Sequence, residues 1–176
     1  MTPKEFRALS VYAKAGLARV LASDCHVCAA FDPVTTPAAQ QPTYQKFSAI
    51  WDTGATGSAI TQNVVNACGL KPITFTKVYH GGGATDLAEV YLVNILLLNN
   101  VQVHSLQVTK LNINGADMLI GMDIITLGDL TISNLGRTVM SFRIPSLGAV
   151  DYVAQTKQHK AAGPGKKDKK RRRSGE

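Results

Sequence analysis

The chain has 176 residues, 45% hydrophobic and 18% charged, which suits one globular domain with a real core and short extensions. Its formal charge of +7 sits at the end: from Lys157 onward nine Lys and Arg face only Asp168 and Glu176, whereas the preceding 156 residues balance ten basic against ten acidic side chains. The basicity therefore says nothing about partners of the folded part. Three cysteines form no disulfide framework and suit a reducing compartment. Lys4, Glu5, Arg7, Lys14 and Arg19 break up any signal-peptide core, and Asn94, Asn99 and Asn100 break the longest apolar run, so a soluble cytoplasmic protein with no membrane partner is expected.

Thr2-Pro3-Lys4-Glu5 reads as a capped helix start, and Phe6, Leu9, Ala13, Leu17, Val20 and Leu21 recur at helical spacing. An N-terminal amphipathic helix over 1–23 is expected. Cys25-His26-Val27-Cys28 contains a Cys-x-x-Cys, but zinc needs four ligands and there is no second pair. A redox pair would need βαβ surroundings. The favoured reading is a strand with Cys25, Val27 and Ala29 on one face, running into Phe31. No metal or cofactor is expected.

Residues 32–43 read as a surface loop, and Tyr44–Trp51 as a strand with Phe47, Ala49 and Trp51 on one face. A Gly/Ala/Thr/Ser loop follows at 52–58, then a short helix over 61–68 stopped by Gly69. Alternating runs at 74–78 and 86–94 flank Tyr79-His80-Gly81-Gly82-Gly83-Ala84-Thr85, the pattern of a β-hairpin. The three glycines lack the spacing and following helix of a phosphate loop. Further strands are expected at 90–98 and 101–109 around an Asn99-Asn100 turn, then a buried strand broken at Gly121 that enters a short helix. Closing strands follow at 129–134 and 139–144. Many short strands with close turns make a mostly β, barrel-like domain over 24–145. Residues 146–176 read as a basic, disordered tail, in which Lys166–Arg173 is a solvated charge run. That run suits solubility, or tethering to nucleic acid or another acidic partner through salt-sensitive attraction.

Asp52 stands where a strand leaves the interior, directly after Ile50-Trp51. The small residues after it leave amides and hydroxyls open to hold its carboxylate. On its own, Asp52 could equally cap the helix that follows.

Three features coincide in order: Asp-Thr-Gly-Ala-Thr-Gly-Ser-Ala-Ile at 52–60, the Gly-rich hairpin at 79–85, and Leu-Ile-Gly-Met-Asp-Ile at 119–124. Together they resemble a retropepsin-type aspartic protease, nearer to cellular and bacterial members than to viral ones, over roughly residues 45–143. The resemblance implies a mainly β, single-lobed, homodimeric retropepsin-like acid-protease barrel, here carrying the N-terminal helix and one short internal helix. It implies an aspartic endopeptidase acting on peptide or protein substrates. The chain has one Asp-Thr-Gly, and the chemistry needs two carboxylates sharing one proton, so Asp52 from each of two copies would meet at a two-fold axis. One Asp52 would act as general base on a water while the other, protonated, polarises the scissile carbonyl. Thr53 would lock the two loops together, and Gly54 would let substrate backbone approach. His80, Gly81, Gly82, Gly83 and Ala84 would form the flap tip. Thr56 replaces an acid common in the viral enzymes that helps hold substrate backbone. Ala55 offers no hydroxyl to stabilise the carboxylate charge, which predicts a pH optimum that is mildly acidic to neutral.

Two other readings compete. A catalytically weak retropepsin-fold module could dimerise or bind peptides, tethered by its basic tail. A nucleic-acid-binding protein would instead be led by Lys166–Arg173. A metalloprotease is disfavoured, because no His-Glu-x-x-His is present.

Overall fold

The computed structural model describes residues 6–79 and 85–161. The strands are β1 (Arg7–Tyr12), β2 (Ala22–Ala29), β3 (Gln45–Trp51), β4 (Ala59–Ile60), β5 (Thr74–Tyr79), β6 (Thr85–Leu97), β7 (Gln102–Lys110), β8 (Met118–Ile120), β9 (Asp129–Ser133) and β10 (Val139–Ile144). Helices α1 (Gln62–Ala67), α2 (Met122–Ile125) and α3 (Tyr152–Ala161) complete the order.

One sheet runs β2-β3-β8-β4-β7-β6-β5, and β2 also pairs with β6. Six strands therefore close into a barrel, with β5 attached to β6 outside the ring. A second, three-stranded sheet runs β1-β10-β9. The alternation along β3 works as expected from a pleated strand: Phe47, Ala49 and Trp51 are buried and join the core. The Trp51 ring lies against Phe142 at 5.1 Å between centroids, which ties the barrel to β10. Where β6 bulges between Val93 and Ile95, Asn94 is fully buried and satisfied. Its amide donates to the Phe31 carbonyl and accepts from the Ser105 N–H, both at 2.8 Å. The Asn99-Asn100 turn forms with both residues in the left-handed region, which asparagine tolerates better than most residues.

The expected N-terminal helix is not formed. Residues 7–12 are a strand paired to β10 from Arg7↔Ile144 to Tyr12↔Val139. Leu9 is buried and its flanking residues are exposed or half-buried, so the period there is two and not 3.6. The helical spacing came from linking apolar residues across Ala13–Leu21, where Gly16 has φ +56 and the chain turns back. Val11 and Tyr12 favour a strand, and pairing with β10 decides the matter. Among the described residues two short internal α-helices form and not one, because the segment after Gly121 gives α2 besides α1 at 62–67. Part of the segment read as tail is also ordered, as α3; residues 162–176, including Lys166–Arg173, lie outside the described residues.

Cys25 and Val27 are fully buried on β2, and Cys28 is equally buried on its opposite side. Burial, helped by nearby Asp117 and Asp24, pushes the Cys25 thiol up to about 12. Burial pushes Cys68 up to about 11, and Cys28 upward as well. Thiols raised in this way stay protonated and are poor nucleophiles at neutral pH. No group of three or more His, Cys, Asp or Glu among the described residues could hold a metal ion. No helix among them is long and apolar enough to cross a membrane.

Candidate active site

β3 and β8 are parallel neighbours, with Trp51 opposite Ile120. Both strands therefore end at the same side of the barrel, and the loop after Trp51 is set against the turn at Gly121. The Asp52 N–H donates to the Ile120 carbonyl at 2.9 Å, continuing the pairing by one residue. The chain then turns. The Gly54 N–H donates to Asp52 Oδ1 at 2.8 Å, and the Ala55 N–H approaches the Asp52 carbonyl at 3.3 Å. The carboxylate is half-buried and held by one backbone donor, with Oδ2 free of protein donors among the described residues. A side chain on Gly54 would bring its Cβ to 3.2 Å from Oδ1, so glycine keeps that oxygen uncrowded.

The rest of the loop is clamped from the β8 side. The Met122 N–H donates to the Ala55 carbonyl at 2.8 Å. Ser58 donates twice to Asp123, through its N–H to Oδ2 at 2.8 Å and its hydroxyl to Oδ1 at 2.6 Å. The same hydroxyl accepts from the Gly121 N–H at 3.0 Å. Asp123 Oδ1 also receives the Ile124 N–H at 2.9 Å. Gly121 is where the two loops touch: a Cβ there would sit 2.6 Å from the backbone of Gly57 and 3.1 Å from the Ala55 carbonyl oxygen. Only glycine fits.

Asp52, Thr53, Gly54, Ala55 and Thr56 thus lie in one loop at the end of β3. Thr53 and Thr56 are exposed, and the Thr53 hydroxyl has no partner among the described residues. The flap residues His80, Gly81, Gly82, Gly83 and Ala84 lie outside the described residues. The strands that carry them pair up to Tyr79↔Thr85. Sequence reasoning missed the clamp formed by Ser58 and Asp123. Asp123 follows Gly121-Met122 at a helix start, and an acid there reads simply as favourable to the helix N-terminus. Its reach across to Ser58, 65 residues earlier, carries no local signal.

A second braced carboxylate lies nearby, Asp117. Burial opposes its ionisation, but hydrogen bonds from Asn63 and from the Ser48 N–H and hydroxyl outweigh that and hold it below the usual range. Through Asp117 those bonds tie α1 to β3. Two cavities among the described residues, of about 590 and 610 Å3, are lined by other residues: one by Val11, Leu21 and Met140 among others, the second by Phe75, Leu87 and Lys110 among others. Neither is bounded by Asp52.

Residues 43–126 match the sequence profile of the family described as "gag-polyprotein putative aspartyl protease", a span holding both the Asp52 loop and the Gly121 turn. The crystal structure of a retropepsin-like aspartic protease from Rickettsia conorii is similar in fold, with a TM-score of 0.52 at 12% identity, covering 80% of this chain and 96% of that one. The fold is retropepsin-like. No curated protein matches the chain in sequence. At 12% identity the structural likeness speaks for the fold, and the profile match is a similarity over residues 43–126.

Proposed function

We propose that the chain is an aspartic endopeptidase that works as a homodimer, with Asp52 of each copy facing the other across a two-fold axis. The observation that carries this is the state of Asp52: a carboxylate at a strand end, held by the Gly54 N–H, in a loop clamped by Gly121, Ser58 and Asp123. Such a carboxylate is positioned without being consumed. A single copy supplies one Asp-Thr-Gly carboxylate, and the chemistry needs two. In the dimer the two carboxylates share a proton, since like charges about 3 Å apart do not both ionise. The ionised one takes a proton from a bound water, which attacks the peptide carbonyl while the protonated one donates to the carbonyl oxygen. The pair titrates as a unit. Thr53, exposed and with no hydroxyl partner among the described residues, would hydrogen-bond across the axis. Residues 80–84 would cover the peptide and exclude water.

The test is cleavage of a peptide pool by the protein and by Asp52→Asn at high concentration across pH 4 to 7, read by mass spectrometry. The expected result is a set of cuts lost in the variant, a fall on the order of 10³-fold or more. With Ala55 unable to donate to the carboxylate, the optimum is expected to be mildly acidic to neutral; a sharp optimum near pH 3 overturns that part. Cleavage-free spectra from both proteins would favour a retropepsin-fold dimerisation or peptide-binding module.

A further inference from the structure

We propose that the cavity between the turn at 13–21 and the barrel binds a small amphipathic carboxylate of the medium-chain fatty acid class, its tail within the cavity and its head on Lys14. The site stands apart from the protease reading: none of its lining residues belongs to the Asp52 loop.

The cavity holds about 590 Å3. Sites for small molecules run from about 300 to 1,000 Å3 and are mostly apolar with a few placed polar groups. Val11 of β1 and Met140 of β10 form one wall, and Leu21, Ala22 and Leu98 a second. The third is the turn itself, through Ala13, Ala15 and Ala18. That turn is pinned on Thr138, which is 3% exposed. The Ala13 N–H donates to the Thr138 carbonyl at 2.9 Å, and the Thr138 N–H to the Gly16 carbonyl at 3.1 Å. The Ala18 N–H donates to the Thr138 hydroxyl at 2.8 Å. Three bonds to one buried residue hold the turn off the barrel, so it does not fold down into the space. Apolar walls held open to water favour an apolar occupant.

The polar groups around the cavity decide the head group. The Ser23 hydroxyl accepts from the Trp51 indole N–H at 3.0 Å, and the Ser48 hydroxyl donates to Asp117 at 3.0 Å. The Thr138 hydroxyl also donates to the Asn134 side chain at 2.7 Å. The Asp24 carboxylate is neutralised by Lys46 at 2.6 Å. Each of these is engaged within the fold. Lys14 differs: it is exposed on the turn, lines the cavity, and pairs with no carboxylate among the described residues. A second cation, Arg137, lies 4.5 Å above the ring of Tyr12, itself a lining residue. With the acid neutralised and the cations unspent, the local field favours an anion. One lysine with no arginine among the lining residues suits a monoanion, since phosphate recognition commonly draws on the arginine fork. An apolar body with one carboxylate meets both conditions.

The test uses the full chain and three probes that share a ten-carbon tail: decanoate, decanol and decylammonium, each below its micelle threshold at neutral pH. Calorimetric titration is expected to show saturable one-to-one binding of decanoate, binding of decanol about tenfold weaker, and none of decylammonium. Lys14→Gln should lower decanoate affinity about tenfold, to the level of decanol, and leave decanol unchanged. Ala18→Leu, an exposed position on the wall, should weaken decanoate and decanol alike by occupying the space. Both variants are expected to keep the thermal midpoint of the unaltered protein without probe, which separates lost binding from lost folding. Absence of saturable decanoate binding would overturn the proposal. So would decanoate that binds no better than decanol, or that binds both variants as tightly as the unaltered chain. Cleavage by Asp52 is not needed for any of these readings, so the outcome leaves the protease reading where it stands.

Discussion

The loop after β3 and the turn after β8 leave the barrel side by side, each with an aspartate, and the two aspartates are treated oppositely. Both oxygens of Asp123 are occupied, by the Ser58 N–H and hydroxyl and by the Ile124 N–H. Asp52 receives one backbone N–H and keeps its other oxygen free of protein donors among the described residues. A carboxylate saturated with donors is a bracket, because its charge is already spent on holding the fold. One with spare acceptor capacity in a rigid loop can take a proton or orient a water. The difference lies in what surrounds each acid, and not in the residue type.

That contrast can be broken from the bracket side first. Gly121→Ala places a Cβ 2.6 Å from Gly57 backbone, which cannot move without carrying the Asp52 loop. A loss of about 1–3 kcal/mol or more in denaturant unfolding is expected, together with loss of cleavage. Ser58→Ala is next. It removes the hydroxyl that joins Asp123 to the Gly121 N–H in a buried place, at a cost of about 1–3 kcal/mol, measured as a lower midpoint with an unchanged m-value. Gly54→Ala acts on the other aspartate. Its Cβ at 3.2 Å from Asp52 Oδ1 should lower kcat while the thermal midpoint changes little, separating the free acid from the bracket.

The smallest effect is expected at Asp129, a third aspartate of the bracket kind. The Ser146 hydroxyl, the Leu147 N–H and Arg143 hold its carboxyl down to about 2 from an ordinary value of 3.8. A group whose folded pKa is depressed stabilises the fold above its unfolded pKa, and that contribution is lost as pH falls through the folded value. Its share of the stability should therefore be complete above about pH 4 and vanish toward pH 2. Comparing midpoints of the protein and Asp129→Asn between pH 5 and pH 2 checks this: the gap should close as the pH falls. A gap that persists at pH 2 would mean that Asp129 acts through shape and not through charge.

Much of this was legible in the residues themselves. Strands β2, β3 and β5 to β10 could be read, though not the two-residue β4, because alternation has a period of two and turn residues such as Asn99-Asn100 and Gly69 mark the ends, and these are local properties of the backbone. The place of Asp52 at the end of β3 was legible because Asp-Thr-Gly follows an apolar strand, and the Leu-Ile-Gly segment forms the turn beside it. What tertiary structure alone decided is of another kind. Whether Phe6–Leu21 became a helix or a strand depended on β10, some 130 residues away, offering an edge to Arg7–Tyr12. Whether Asp123 or Asp52 stayed free depended on which donors the parallel pairing of β3 with β8 brought within reach. Local spacing records periodicity and turn chemistry; partners for edges and carboxylates exist only once the strands have closed, so no local signal could assign them.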